Sequence, residues 1–296
     1  MYLEAENDNP KEEATMYQNI LLCTDGSPAA NVAADAAVWF AQKLAARLRA
    51  LYVTDLRVLE GPWLADLAGA IGAQPYAALV PQLQTIQREK AAAILDAVGK
   101  KCETHAVPFE LVHETGNLIP TLLQHERAAD IIVLGQRGEH APWSGQMLGS
   151  SVERMVRASV KPALITPDSF HPVQRILIAY DGSRGAQKAL HDGLELAEKL
   201  RAEVFLMTAC QRDTEESAST LLHEALQQAT DRHLNAHAQL AHGDAETQIL
   251  HWATQTQSDL IVMGAYGHTR IREFFLGSTT HHVLRKTTIP VLLTRA

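Results

Sequence analysis

The segment QNILLCTDGS at residues 18–27 recurs as QRILIAYDGS at residues 174–183, and in both an apolar run leads into Asp-Gly-Ser. Two further pairs of blocks follow in the same order, namely DIIVLGQRG (130–138) with DLIVMGAYG (259–267), and LGSSVERMVRASVKPALITP (148–167) with LGSTTHHVLRKTTIPVLLTR (276–295). Because three similar blocks keep one order, we interpret the chain as an internal duplication.

The repeat divides the 296 residues into four predicted regions. We expect a disordered acidic tail over 1–16, a first copy over 17–167, a linker over 168–174 and a second copy over 175–296. Each copy has the length of an ordinary domain and can bury its own core.

The composition excludes several classes of partner. The chain is 46% hydrophobic and 20% charged, as is usual for globular proteins. It has no run of about 18 apolar residues, so we expect no membrane partner. A net charge of -8 argues against nucleic acid. The three cysteines show no Cys-x-x-Cys spacing, and we expect a cytoplasmic location.

Apolar runs and helical patterns alternate along both copies. In the second copy we expect strands at 176–180, 203–208, 236–241, 260–263 and 291–294, with helices between them. Such alternation is typical of a parallel sheet with both faces covered. We therefore predict an α/β fold of two tandem doubly wound domains. Each is a five-stranded parallel open sheet in the order 3-2-1-4-5 with helices on both faces.

Polar motifs follow two strands of each copy. Ligands of doubly wound sheets bind beyond the carboxyl ends of the strands where the strand order reverses, here between strands one and four. Asp25 and Asp181 follow strand one, and Gly135 and Gly264 end strand four, which predicts one crevice per copy. Asp-Gly-Ser is also an ordinary turn or helix cap, and Ser183 is expected to cap the next helix.

The loop after strand four of the second copy reads GAYGHTRIREFFLGST (264–279). We expect Gly264 and Gly267 to adopt positive φ and to let the backbone approach a ligand. The helix that opens at Gly277 offers free N–H groups and a positive dipole end to phosphate. Further polar candidates here are Ser278, Thr279, His268 and Arg270. Alternatively, the glycines only shape a turn.

These residues resemble the universal stress protein family in its tandem-domain form. ATP-binding members of that family carry G-x2-G-x9-G-S/T after strand four and an aspartate after strand one. The second copy matches every position of this motif, and Asp181 matches the acid that contacts the nucleoside. The resemblance implies ATP, with Mg²⁺ on its phosphates, as the ligand of a stress-response or regulatory protein.

The resemblance and the motifs together give the candidate nucleotide contacts. In the second copy these are Ala179, Tyr180, Asp181, Thr208, Met263, Gly264, Gly267, His268, Arg270, Gly277, Ser278 and Thr279. In the first copy they are Thr24, Asp25, Val53, Gly135, Arg137, Gly138, Gly149, Ser150 and Ser151. We expect binding chiefly in the second copy.

The first copy departs from the family motif. Ten residues, instead of nine, separate Gly138 from Gly149. Arg137 and Arg154 are candidate positive contacts, although such residues are more often solvated. The first copy is also longer between residues 56 and 83, where PWLADLAGAIGAQPYAALV would form a lid, a subunit contact or a surface insertion.

The fourteen histidines raise the possibility of a metal site. His233 and His237 are spaced as one turn of a helix that we expect to run from about 216 to 235, and His281 and His282 are adjacent. No cysteine or carboxylate cluster completes either pair, so we expect no metal site.

No residue stands out as a general base or nucleophile with an orienting partner. We therefore expect a nucleotide-binding protein with at most slow ATP hydrolysis, and the alternative is a ligand-free scaffold or interaction protein. An adenylyl-transfer or PP-loop enzyme would carry Ser-Gly-Gly-x-Asp-Ser after strand one, where this chain has TDGSPAA and YDGSRGA. Strand five leaves an exposed edge in each copy, so we expect the copies to pair through it, with homodimerisation in addition.

Overall fold

The computed structural model of the chain describes residues 16–56, 76–138, 148–265 and 277–295. The first copy contains β1 (Asn19–Cys23), α1 (Pro28–Leu44), β2 (Arg47–Asp55), α2 (Tyr76–Thr104), β3 (Phe109–Gly116), α3 (Leu118–Glu126), β4 (Ile131–Gly135), α4 (Ser150–Ala158) and β5 (Ala163–Thr166).

The second copy repeats this order of elements. It contains β6 (Arg175–Ala179), α5 (Arg184–Leu200), β7 (Glu203–Cys210), α6 (Glu215–Asp231), β8 (Ala236–His242), α7 (Ala245–Gln255), β9 (Leu260–Gly264), α8 (Ser278–Lys286) and β10 (Val291–Thr294). A short 3₁₀ helix, Arg212–Thr214, precedes α6.

The strands form one sheet in the order β3-β2-β1-β4-β5-β10-β9-β6-β7-β8. Within each copy the neighbouring strands are parallel and follow the order 3-2-1-4-5, so the predicted fold class is confirmed. The strand order reverses at β1 and β4 in the first copy and at β6 and β9 in the second. The carboxyl ends of these two pairs lie where the crevices are predicted.

The two copies meet at strand five. β5 and β10 pair antiparallel, with Ile165 opposite Val291, Leu164 opposite Leu292 and Ala163 opposite Leu293. All of these side chains are buried. Because each strand satisfies the backbone groups of the other, neither strand five remains an open edge.

Both faces of the sheet are covered, because alternate residues of a strand point to opposite sides. Leu22 belongs to an apolar layer with α1, α2, α5 and α6, whereas its neighbour Leu21 belongs to a layer with α3, α4, α7 and α8. Each layer contains residues of both copies. The core is therefore continuous across the β5–β10 seam.

An aspartate precedes strand four in each copy and holds the start of strand one. Asp130 Oδ2 accepts a hydrogen bond from the backbone N–H of Asn19 at 2.8 Å. Asp259 Oδ2 accepts from the backbone N–H of Arg175 at 3.0 Å. The aspartate that begins the strand-four block of each copy thus has a structural role. It lies at the amino ends of the strands, at the edge of the sheet opposite the crevices.

The predicted tail and linker fall partly among the described residues. Met16 is buried, and the rest of the predicted tail lies outside them. In the linker, the Phe170 ring lies 5.7 Å from the ring of Trp39, and Val173 is buried. The linker therefore packs on α1. Most of the 56–83 segment lies outside the described residues, and its last part begins α2.

One helix prediction is wrong. We expected a helix to run to about residue 235, but α6 ends at Asp231, and His233 has φ 58°, which breaks the helix. His237 lies in β8, where its Nε2 is 3.0 Å from Glu203 Oε1. His233 and His237 therefore do not share a helical face.

Neither a metal-binding cluster nor a membrane-spanning helix occurs among the described residues. Over these residues, no group of three or more His, Cys, Asp or Glu side chains is placed to hold a metal ion. No helix among them is both long and apolar enough to cross a membrane.

Candidate functional site

The turn after strand one has the same geometry in both copies. The backbone N–H of Ser27 donates to Asp25 Oδ1 at 2.9 Å, and that of Ser183 donates to Asp181 Oδ1 at 3.0 Å. Ser27 Oγ and Ser183 Oγ then accept from the third residue of the next helix, so the predicted cap is confirmed. One oxygen of each aspartate closes the turn at the carboxyl end of strand one.

Positive φ occurs at Gly26 (78°) and Gly182 (76°), the glycines of the Asp-Gly-Ser turns. We expected it at Gly264, which is not among the described positive-φ glycines. A Cβ on Gly264 would lie 2.7 Å from the carbonyl carbon of Gly185, and one on Gly135 would lie 2.7 Å from that of Ala29. The first glycine of each loop therefore lets the first helix of its copy, α1 or α5, pack against strand four. The predicted positive φ of Gly264 is wrong.

The two motifs meet in the first copy. A Cβ on Gly138 would lie 2.9 Å from Asp25 Oδ2, so the glycine leaves room for the carboxylate of the strand-one turn. The backbone N–H of Gly149 donates to the carbonyl of Gln136 at 3.0 Å and brings the start of α4 to the same place. The acid, the glycine pair and the helix start thus converge at one rim of the sheet.

The last helix of each copy begins at a glycine. Gly149 is the N-cap of α4 and Gly277 is the N-cap of α8, and a glycine has no side chain that could accept from the first N–H groups of the helix. Such N–H groups and the positive end of the helix dipole favour an anion. Ser150 and Ser278 open the two helices.

The polar side chains near these helix starts are already engaged. Arg154 turns back along α4, with its Nε donating to the carbonyl of Ser150 at 3.3 Å and its Nη2 to Ser151 Oγ at 3.4 Å. In the second copy Thr279 Oγ1 donates to Glu246 Oε2 at 3.4 Å. Glu246 belongs to the first turn of α7 and was missed by the sequence analysis.

The positive charge of Arg137, at the first crevice, is paired with an acidic side chain. Its Nη1 lies 3.0 Å from Asp168 Oδ2, in an ion pair with the start of the linker. The Arg137 side chain is 24% exposed, and that of Asp168 is 67% exposed. The positive charge that we expected to serve phosphate is therefore largely neutralised by a residue of the same chain.

Strand-two positions line the other side of each crevice. Thr208 is buried, and its Oγ1 donates to the carbonyl of Tyr180 at 2.8 Å. The strand register makes Tyr52, not Val53, the first-copy counterpart of Thr208, because Leu51 and Met207 lie opposite equivalent strand-one residues. Tyr52 and Val53 pack on opposite faces of the sheet, Tyr52 on the side of α1 and α2 and Val53 on the side of α3 and α4, so Val53 stays a predicted contact.

The remaining candidates are placed as follows. Thr24 is buried, and its Oγ1 accepts from the backbone N–H of Gly26 at 3.3 Å. Ala179 is half-buried at the end of β6, and Met263 is buried near the end of β9. Gly267, His268 and Arg270 lie outside the described residues.

Sequence reasoning also missed Thr280 and Gln136. Thr280 Oγ1 donates to the carbonyl of Ala265 at 3.1 Å, which fixes the start of α8 against the end of β9. Gln136 Nε2 donates to the carbonyl of Leu284 and so links the first-copy loop to α8 of the second copy. The aligned copies carry a signal for both residues, because each polar side chain stands opposite an apolar one. Val152 is the equivalent of Thr280, and Ala265 is the equivalent of Gln136.

Comparison with known proteins decides the family. The model of the universal stress protein family matches residues 16–167 and again residues 172–295. The chain belongs to this family. A universal stress protein of Synechocystis sp. is 36% identical over 288 residues, covering 94% of this chain and 100% of the relative.

More distant universal stress proteins show the same extent. One of Mycobacterium bovis is 24% identical over 308 residues, covering 93% of this chain and 94% of its own. The crystal structure of one from Archaeoglobus fulgidus is 22% identical, with a TM-score of 0.72 and coverage of 94% of this chain and 96% of that one. The tandem arrangement of two domains of this family and their fold are therefore shared.

Proposed function

We propose that this tandem universal stress protein binds an adenine nucleotide, ATP, at the rim where β6 and β9 end, with a stress-response or regulatory role. The observation that supports it most is the close approach of Asp25 Oδ2 to the Cβ position of Gly138, at 2.9 Å, beside the glycine N-cap of α4. The second copy repeats the acid turn and the glycine N-cap. It also carries the complete glycine spacing.

Each part of the rim suits one part of the nucleotide. The Asp181 carboxylate would accept hydrogen bonds from ribose hydroxyls or an adenine amino group. The first N–H groups of α8 would donate to phosphate, together with the hydroxyl of Ser278. Gly267, His268 and Arg270, in the loop between, complete the proposed contacts. ATP supplies charged phosphates, and the protein residues bind and orient them.

Mg²⁺ fits the donor set at the same helix start. Glu246 Oε2 and Thr279 Oγ1 lie 3.4 Å apart there, and both are oxygen ligands. Magnesium prefers oxygen ligands, and in nucleotide sites it is held by one or two carboxylates plus the phosphates. Glu246 would therefore hold the ion next to the phosphates. The charge of the ion would offset the repulsion between the Glu246 carboxylate and the phosphates.

The two copies differ in charge at the first turn of the last helix. Glu153 lies in the first turn of α4, where it pairs with Arg157. The equivalent position of α8 is His281, and the first turn of α8 has no acid. An acid near a helix start competes with an anion for the same N–H groups. With Glu246 of the second copy holding Mg²⁺ as proposed above, this asymmetry favours binding chiefly in the second copy.

We also propose how the chain is arranged in the cell. The β5–β10 pairing joins the domains into one unit, with boundaries near 17–167, 168–174 and 175–296. A homodimer would use other surfaces. The three cysteines form no disulfide, which agrees with the reducing cytoplasm, where ATP is abundant. Partner binding would depend on nucleotide state, with at most slow hydrolysis.

Calorimetric titration of ATP into nucleotide-free chain tests the proposal, together with native mass spectrometry of copurified ligand. We expect one nucleotide per chain. Asp181→Asn keeps the Oδ1 acceptor of the turn but loses the charge, and should weaken binding about tenfold. Asp25→Asn is the matched control and should change little.

Failure to bind ATP in the unmodified chain would favour a ligand-free scaffold. If Asp181→Asn bound ATP with the affinity of the unmodified chain, the strand-one acid would not be a contact of the nucleotide. Equal affinity of a partner for the apo and the ATP-loaded chain would exclude the regulatory role.

A further inference from the structure

A thiol, an imidazole and a carboxylate lie in a row at the outer part of the second-copy rim. Cys210 Sγ is 3.8 Å from His242 Nδ1. His242 Nε2 is 3.7 Å from Glu215 Oε2. The imidazole thus lies between the other two groups and faces each with a different ring nitrogen. Because the three side chains form a chain and do not converge on a point, they do not make a three-ligand metal site.

Three elements bring these residues together. Cys210 ends β7, His242 ends the neighbouring β8 opposite it, and Glu215 begins α6. They are therefore separated in sequence and adjacent only in the folded chain. Cys210 lies two residues after Thr208 and so on the same face of β7. The row stands at the same rim as the proposed nucleotide crevice, one strand further out.

Solvent reaches this row from the rim. The side chains of His242 and Glu215 are 51% and 53% exposed, and Gln211, which follows the cysteine, is exposed. Cys210 itself is 7% exposed, beneath the longer side chains of His242 and Glu215. A small reagent can approach its sulfur once they move aside, without any change in the strands.

The other two cysteines provide an internal contrast. Burial raises the pKa of the Cys23 thiol to about 12 and that of Cys102 to about 11. Cys23 ends β1 in the centre of the sheet, and Cys102 lies in α2 against the core. Cys23 is 8% exposed, as little as Cys210, so these two thiols differ in their neighbours and not in their exposure. No imidazole contact of either thiol is present among the described hydrogen bonds. Only Cys210 combines a thiol with a base at a solvent-reached edge.

The first copy has a different nucleophile at the same strand position. Thr54 is the register counterpart of Cys210, and its Oγ1 lies 2.9 Å from His113 Nε2. A neutral threonine hydroxyl is a much weaker nucleophile than a thiol. The thiol chemistry is therefore specific to the second copy.

We propose that Cys210 is a thiolation site for low-molecular-mass disulfides, with His242 as general base and Glu215 as the residue that orients the imidazole. A thiol is activated by a base within reach of it when a third group orients that base. The site is independent of nucleotide binding.

The reaction balances without a further reagent. His242 Nδ1 takes the proton of Cys210 as Sγ attacks one sulfur of the disulfide. The new sulfur–sulfur bond forms while the old one breaks, and the leaving thiolate takes up the proton from His242. The cysteine is oxidised to a mixed disulfide, and half of the low-mass disulfide is reduced to its thiol.

The resting thiol is neutral, which is why a base is needed. Burial, followed by the charges of Glu215 and Asp213, raises the pKa of Cys210. Few thiolates exist before reaction under neutral conditions, and general-base assistance is worth about 100-fold or more in favourable cases. A variant without the base should therefore react slowly.

Incubation of the folded full-length chain with oxidised glutathione, followed by intact and peptide mass spectrometry, tests the site. We expect one glutathionyl group per chain, on Cys210. His242→Gln should slow the reaction by at least about tenfold. Modification of Cys23 or Cys102 at an equal rate, or a smaller effect of His242→Gln, would overturn the proposal.

Glu215→Gln separates orientation from charge. If Glu215 acted only through its charge, its removal would lower the pKa of Cys210 and speed the reaction. If it orients His242, the reaction becomes slower in spite of the lower pKa. We expect slower modification, and a rate equal to or above that of the unmodified chain would overturn the assigned role.

Asp213→Asn is the matched control. Asp213 raises the pKa of Cys210 through its charge, and no contact with His242 is described for it. This variant should react at the rate of the unmodified chain or slightly faster. A loss as large as that of Glu215→Gln would show that any nearby acid gives the effect, and would overturn the orienting role.

Discussion

The glycines of the repeated motifs perform different tasks at the residue scale. Gly26 and Gly182 turn the chain with positive φ, Gly135 and Gly264 let a helix approach strand four, and Gly138 leaves space for a carboxylate. The sequence motif alone does not distinguish these roles. Because the roles differ, substitutions of these glycines should lower the free energy of unfolding by different amounts.

Gly264→Ala should destabilise the fold. Its Cβ would meet the backbone of Gly185 at 2.7 Å, where no flexible side chain can yield. We expect a loss of about 1–3 kcal/mol in the free energy of unfolding, as for other overpacked sites. Urea denaturation measures it.

Gly277→Ala is the control for this substitution. Its Cβ would lie 3.7 Å from Thr280 Oγ1, which is an ordinary van der Waals distance. Equal urea midpoints for the two variants would contradict the assignment of Gly264 to helix packing.

Asp192→Asn should stabilise the protein at neutral pH. Asp192 is 3% exposed on α5, and its Oδ2 has no hydrogen-bond partner, while Oδ1 accepts from Lys188 at 2.7 Å. Burial raises the pKa of this carboxyl, against the opposing effects of Lys188 and His191. The folded state therefore bears a cost for the charge, and we expect a melting temperature about 2 °C higher in the variant.

The pH dependence of that difference follows from the sign of the shift. Because the folded pKa lies above the unfolded one, the folded chain takes up the proton first as the pH falls. The cost then disappears, so the advantage of Asp192→Asn should shrink on acidification through the raised pKa. Thermal scans at several pH values test this, and an advantage that grows on acidification would refute it.

At the scale of the element, the last helix of each copy starts at a glycine N-cap, which has no side chain to accept from the first N–H groups. What differs is the charge that each helix places in its first turn. Helix dipoles act within about one turn, so a single residue there changes the affinity for an anion.

His281→Glu should weaken ATP binding in the second copy. It reproduces at α8 the acid that Glu153 provides at α4. The expected loss is about two- to fivefold, which corresponds to the usual effect of one charge at a helix start. Calorimetric titration at low salt measures it.

His223→Glu provides the same change of charge at an exposed position of α6. Its affinity should equal that of the unmodified chain. Equal losses in both variants would mean that net charge, and not the helix start, governs the affinity.

At the scale of the whole molecule, the two copies share one sheet and two continuous apolar layers. Besides the backbone pairing of β5 with β10, a buried side-chain hydrogen bond joins the two copies. The side-chain amide of Gln136 donates to the carbonyl of Leu284, near the carboxyl end of α8. Carbonyls at a helix end have no partner within the helix, so this amide satisfies one of them from the other copy.

Gln136→Ala should lower the stability of the whole chain. It leaves a buried carbonyl without a donor, and the expected loss is about 1–3 kcal/mol. Gln187→Ala removes an exposed contact with the Gly182 carbonyl at 3.3 Å and should cost much less. Calorimetry should show one transition, shifted downward in Gln136→Ala.

A separate transition for each copy would contradict the shared core. An equal shift in Gln136→Ala and Gln187→Ala would show that the buried contact between the copies adds nothing to stability.

Much of the fold could be predicted because it depends on local pattern. The buried runs of β1, β4, β6 and β9 are continuous and apolar, and alternation with helices requires parallel strands. The end of α6 was misjudged because a left-handed His233 gives no signal in sequence. The candidate site was predicted at the level of motifs, since glycine spacing and the aspartate turn are local features.

The sequence by itself determined the duplication, the parallel α/β fold and the rim at which the motifs lie, because these follow from apolar periodicity and from the order of the blocks. Only the tertiary structure decided the ion pair of Arg137 with Asp168, the Gln136 contact and the row of Cys210, His242 and Glu215. Each joins residues distant in sequence through strand register and helix packing. Local patterns carry no information about such distances, so these contacts exist only once the sheet has formed.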